Sequence, residues 1–121
     1  RLDTVAQAKA LNALYDQMWL YYNLFQPVMR LCEKVFLPAE DGTQRLQRRF
    51  DQACTPFDRL CATSAIDAER HKALIELRQG INPRRLRQEI YTAIDNLLAL
   101  PCADPATTEN VLDTLLVPIL E

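Results

Sequence analysis

An irregular all-α bundle of five or six helices, with at most one small hairpin within 37–53, is the fold class this sequence predicts. Two observations predict it. Apolar residues recur at three- and four-residue spacing over most of the chain. Capping-type side chains also stand directly before prolines at Thr55-Pro56, Asn82-Pro83 and Asp104-Pro105. Each pair sets a side-chain acceptor at the N-cap and a proline at the first helical position, where its missing N–H costs nothing.

Residues 3–25 read as one long helix. Asp3 is the expected N-cap, and Val5, Ala8, Leu11, Leu14/Tyr15, Met18/Trp19, Tyr22 and Phe25 form the stripe. Leu20, Tyr21 and Leu24 add a second apolar face, which implies contact on more than one side. Pro27 breaks the backbone bonding near Gln26. Residues 28–36 are read as a short further helix with Met29, Cys32 and Phe36 turned inward. The stretch 37–53 is the least regular. Asp41-Gly42 is a turn signal, and 45–50 can pair in extended form with the segment before Gly42.

Helices are expected near 56–63, 68–79, 83–99 and 105–117. Asp67 opens the second of these, and Gly80 supplies a left-handed stop. The inward stripe of the third is Leu86, Ile90, Ala93/Ile94 and Leu97; that of the last is Leu112, Leu115/Leu116 and Ile119, with Pro118 fraying its end. The domain division expected is 1–27, the long aromatic helix, and 28–121, a helical appendage packing with it as one compact unit.

Composition narrows the function. The 121 residues carry 14 basic and 16 acidic side chains, a net charge of −2, which is not the basic balance of an electrostatic nucleic-acid binder. Hydrophobic residues at 49% and charged residues at 25% are those of a globular domain. Two glycines cannot build a P-loop or a dinucleotide fingerprint. With His71 the single histidine, zinc sites that need two are excluded. The uncharged run Gln17–Met29 falls short of the roughly 20 residues of a membrane span, so a cytoplasmic location is expected. Cys32, Cys54, Cys61 and Cys102 lack C-x-x-C spacing and read as reduced, buried small hydrophobes, with a disulfide as the alternative. The start at Arg1 suggests a fragment of a longer protein.

No residue pattern carries catalysis. The carboxylates, Asp51 and Asp58 among them, are scattered among basic residues as surface or ion-paired groups, and no dyad forms on a helix face. His71, between Arg70 and Lys72, has no orienting partner, and Thr63-Ser64 has no base to activate it. Two basic clusters remain: Arg45, Arg48 and Arg49, and Arg84, Arg85 and Arg87. Arginine forks suit phosphate. The second cluster lies at a helix N-terminus, where the macrodipole disfavours cations, and a compensating anion is one explanation. A solvated face, or pairing with Glu89 and Asp95, is the other. Tyr15, Trp19, Tyr21, Tyr22 and Phe25 gather five of the nine aromatics. They line a core or form a subunit face centred on Tyr15, Trp19 and Tyr22. The tail from Asp104 has four acids and no base, a poor DNA surface and a plausible lid.

Several blocks then fall in a telling order. They are Leu11 to Pro27 in the pattern L-x-x-L-Y-x-x-x-x-x-Y-x-N-[F]-F-Q-P, with Leu24 at the bracketed Phe, then Arg30-Leu31, Glu33-Lys34, Arg48-Arg49-Phe50-Asp51, Thr55-Pro56-Phe57-Asp58-Arg59-Leu60, and Asn82-Pro83-x-x-Leu86. Over roughly 9–98 the chain resembles the C-terminal part of bacterial integrase-catalytic-region transposases, DDE recombinases with a ribonuclease-H-like core. The last twenty residues match nothing in that pattern.

The resemblance implies that 3–25 is the last helix of the catalytic core and that the three metal-binding acids lie ahead of this segment. No acid here is assigned to that triad. The parent would use Mg²⁺ for phosphoryl transfer, while this fragment alone is expected to be inactive and to hold no cofactor. The expectation is a non-catalytic C-terminal region acting in DNA recombination by positioning DNA or protomers. It would bind DNA weakly through Arg45, Arg48, Arg49, Arg84, Arg85 and Arg87, form a homo-oligomer through Tyr15, Trp19 and Tyr22, and take no small-molecule substrate and no membrane. The alternative is a helical interaction or dimerisation module with no nucleic-acid role.

Overall fold

Thr4, not Asp3, starts the first helix, α1 (Val5–Leu24). In the computed structural model, which describes residues 1–114, the Thr4 hydroxyl accepts from the Gln7 N–H at 3.1 Å. Gln7 Oε1 in turn accepts from the Asp3 and Thr4 N–H groups at 2.8 and 3.2 Å. This reciprocal capping box satisfies the helix's first donors and lets the Gln7 side chain be buried. Leu14 and Leu24 are buried further along, whereas Tyr15, Trp19 and Tyr22 are exposed. The helix ends before Pro27, as its ring requires.

The chain is not all-α. Leu31–Pro38 form β1 and Gln44–Phe50 form β2, an antiparallel pair. The segment read as a second helix, 28–36, is therefore extended, and Met29, Cys32 and Phe36 are exposed rather than turned inward. The physical reason begins at Pro27, which disfavours helical backbone at Gln26. Val28 then makes an isolated bridge to Cys54, donating to its carbonyl at 3.0 Å. Gly42, at φ +80°, closes the connection. Its N–H donates to Ala39 O at 3.1 Å and the Ala39 N–H to Thr43 O at 2.8 Å, a tight turn with glycine at the left-handed position. Asp41 Oδ1 secures the turn by accepting from the Thr43 N–H and hydroxyl at 3.0 and 2.6 Å. The hairpin expected within 37–53 exists around this turn, but its first strand begins at Leu31.

The later helices follow their caps. α2 (Pro56–Cys61) is capped by Thr55, whose hydroxyl accepts from the Asp58 N–H at 3.0 Å. α3 (Ala68–Gln79) is capped by Asp67, and α4 (Pro83–Ala99) by Asn82. Gly80 does close α3, but with right-handed backbone at φ −77°, not the left-handed stop expected. Asp104-Pro105 makes a turn instead of a helix: Asp104 accepts from the Ala106 N–H through its side chain and from the Thr107 N–H through its carbonyl. The following Thr107, Thr108 and Asn110 are poor helix formers. Among the described residues of the 105–117 span, where a helix was expected, the helical backbone is a 3₁₀ turn, Val111–Thr114. Residues 115–121, with Leu115, Leu116, Pro118 and Ile119, lie outside the described residues.

The chain divides into two compact units, Arg1–Tyr21 with the segment from Ile81, and Tyr22–Gly80. In the first, α1 and α4 line one groove with Ala10, Ala13, Leu14, Ala93 and Leu97, and Leu86, Ile90 and Leu97 are the buried residues of α4. Glu109 accepts from the Val5 N–H at 2.6 Å at the start of α1. In the second unit Phe57 is the buried aromatic. The four cysteines are free but, contrary to expectation, none is buried: Cys32 and Cys102 are exposed and Cys54 and Cys61 half-buried. Among the described residues no helix is long and apolar enough to cross a membrane.

Candidate nucleic-acid interface

The hairpin is held at its base by one carboxylate. Asp51, just past β2, accepts from both terminal nitrogens of Arg59 on α2 and from the Arg30 N–H at 2.6 Å. Arg30 Nε lies 3.7 Å from its other oxygen. Arg59 also donates to the Val28 carbonyl, so one guanidinium ties α2 to both ends of the hairpin. These bonds, Arg59 first and the Arg30 N–H next, bring the Asp51 carboxyl down to about 2. A second fastening sits behind it. Asp58 accepts from the Thr55 hydroxyl at 2.8 Å and from Arg78 at 2.9 Å, which lowers its pKa, the Thr55 bond being the larger cause. Arg78 stacks over Phe57 at 4.6 Å, and His71 lies parallel to the same ring at 6.5 Å. Asp51, Asp58 and His71 are thus parts of a scaffold.

On that base the register Glu33↔Arg49, Lys34↔Arg48, Val35↔Gln47, Phe36↔Leu46 and Leu37↔Arg45 sorts the side chains. Alternation along a strand puts Arg45, Gln47 and Arg49 on one face and Leu46, Arg48 and Phe50 on the other. Every residue of β2 is exposed. Arg49 is paired with Glu33 at 3.2 Å. Arg45, Arg48 and Lys34 have no carboxylate partner among the described residues. The three arginines, one cluster in the sequence, are divided by the ribbon: Arg45 and Arg49 lie on one face and Arg48 on the other, opposite Lys34, whose place follows only from the register.

The second basic cluster is differently used. Arg85 pairs with Glu89 at 2.9 Å, and Arg87 lies over the Tyr91 ring at 5.5 Å. Arg84, at the start of α4, is exposed and has no carboxylate partner among the described residues. Asn82 Oδ1 accepts from the N–H groups of both Arg84 and Arg85, so local backbone donors at this helix start are already used. Tyr15 and Trp19, in the first unit, are each 55% exposed, and Tyr22, in the second, 49%. They do not line a buried core.

For Mg²⁺ the donor set does not fit. The Asp51 and Asp58 carboxylates are engaged by arginines, and among the described residues no three His, Cys, Asp or Glu side chains converge.

No protein-family model, no curated protein and no solved structure matches the chain. The motif blocks do have local physical roles. In Thr55-Pro56-Phe57-Asp58-Arg59, Thr55 caps α2, Pro56 opens it, Phe57 is buried, Asp58 holds Arg78 and Arg59 holds Asp51.

Proposed function

We propose that this chain is the non-catalytic C-terminal region of a DDE-type transposase or integrase and serves DNA recombination by holding DNA on the β1–β2 hairpin. One observation carries the reading: Lys34, Arg45 and Arg48 stand exposed on a two-stranded ribbon without carboxylate partners among the described residues. A two-stranded ribbon is narrow enough to enter a DNA major groove, and arginine forks suit its phosphates. The motif order supplies the class of parent. The two-metal chemistry of that class would belong to the part of the parent bearing its acids.

The net charge of −2 makes binding local and weak, so it depends on these few contacts. Each phosphate contact contributes about 0.9 to the slope of log affinity against log salt. Replacing Arg45 and Arg48 together by Ala should therefore weaken DNA binding and flatten the slope by about 1.8. Arg49→Ala should change it less, because Glu33 already holds that side chain. Fluorescence anisotropy with labelled duplex across a salt series measures both. An unchanged slope in the double variant rejects the reading.

A second reading rests on Tyr15 and Trp19. Both rings are 55% exposed and stand four residues apart on α1, so they are neighbours on one helix face and offer a shared apolar patch to a partner. On this reading the face is a homo-oligomer contact and the hairpin has no DNA role. Sedimentation equilibrium decides: self-association abolished by Trp19→Ala supports it, and a monomer at high concentration opposes it.

A further inference from the structure

The two faces of the hairpin are chemically unlike. On one, Glu33 answers Arg49 across the strands at 3.2 Å. On the other, Lys34 stands directly opposite Arg48, and no carboxylate among the described residues pairs with either. Like charges directly opposed weaken a strand pair, a cost that an anion lying over them would remove. Aromatic residues flank this pair along the ribbon. Phe36, opposite Leu46, is 63% exposed on the turn side, and Phe50, opposite Leu31, is 51% exposed at the base. Leu46 and Phe50 are four residues apart on β2, about 13 Å at roughly 3.3 Å per residue, with Arg48 midway.

We propose that this face binds an unpaired DNA strand, with its backbone phosphate against Lys34 and Arg48 and its bases stacked on Phe36 and Phe50. The inference rests on the DNA-binding reading above and specifies which form of DNA the hairpin takes. Charge between two aromatic platforms matches a strand, whose phosphates alternate with flat apolar bases. A paired duplex hides its base faces and offers these rings nothing to stack on. An anionic lipid surface matches less well. Sinking Phe36 and Phe50 to acyl depth would carry the Lys34–Arg48 pair down between them, away from water.

The test uses the whole 121-residue chain, a fluorescein-labelled mixed-sequence strand and the same strand in a duplex. The strand should bind more tightly than the duplex. Phe36→Ala and Phe50→Ala should each weaken strand binding about fivefold to a hundredfold, the range of one lost base stack, and leave duplex binding unchanged. Phe36→Tyr, which keeps the ring, should retain strand binding. Both positions are exposed, so truncation leaves the core intact; unchanged far-ultraviolet circular dichroism checks this. If both alanine variants bind the strand as the wild type does, while Arg45→Ala/Arg48→Ala still flattens the duplex salt slope, the stacking proposal falls and the DNA reading stands. If neither form of DNA binds, both fall. If the chain sediments with phosphatidylserine vesicles, loses that with Phe36→Ala and ignores the strand, the face is a lipid surface and the proposal is wrong.

Discussion

Protonating Asp51 should loosen the base of the hairpin. Its carboxyl titrates near 2, below the ordinary 3.8, because the charged form accepts from Arg59 and the Arg30 N–H. A depressed folded-state value means that this contribution is full above the ordinary value and is lost as pH falls through about 2. Asp41 and Asp58 shift the same way, so they add to the acid sensitivity. Asp51→Asn should remove part of the loss in urea midpoint between about pH 4 and about pH 2. A pH profile identical to the wild type would show that Asp51 does not hold the folded state. At this scale the caps of α2, α3 and α4 were legible; the Thr4 cap of α1, expected at Asp3, and the fastenings were not. Thr55, Asp67 and Asn82 satisfy N–H groups two or three residues away, which spacing reveals. Asp51 and Arg59 are eight residues apart across a helix start, and their bonding depends on how the chain turns between them.

Local pattern misjudged the first strand of the hairpin. Met29, Cys32 and Phe36 fall at spacings that suit one side of a helix, and a short apolar run does not separate the two periods. What decides is non-local: the register of Glu33 against Arg49, and the turn at Gly42. The two glycines test this at once. Gly42 sits at φ +80° with nothing near its missing Cβ, so Gly42→Ala meets no clash and costs about 1 kcal/mol from backbone strain alone. Gly80 is right-handed, and an added Cβ there would lie at ordinary contact distances of 3.5 and 3.6 Å from carbonyl oxygens. Gly80→Ala should therefore be neutral or raise stability by about 0.4–1 kcal/mol. Urea unfolding of the two variants measures the contrast. Equal losses at both positions would contradict the turn geometry.

For the whole molecule, a net charge of −2 hides how charge is distributed. Asp51, Asp58, Glu33 and Glu89 are each spent on an arginine, which leaves Lys34, Arg45 and Arg48 as the hairpin's unanswered cations among the described residues. The arginine cluster was legible as a run in sequence. Its division into Arg49, held by Glu33, and Arg45 and Arg48, without a carboxylate partner among the described residues, was not, because that depends on which residue stands across the ribbon. Nor could spacing tell that Tyr15 and Trp19 would face outward while Leu14 was buried, since α1 is apolar on two sides. Amide chemical-shift mapping of the isotope-labelled chain during titration with an oligonucleotide reads directly whether DNA is held on the hairpin. Shifts should concentrate between Leu31 and Phe50, strongest around Lys34, Arg45 and Arg48. Shifts confined to the helix around Tyr15 and Trp19, or no shifts at all, would contradict hairpin binding.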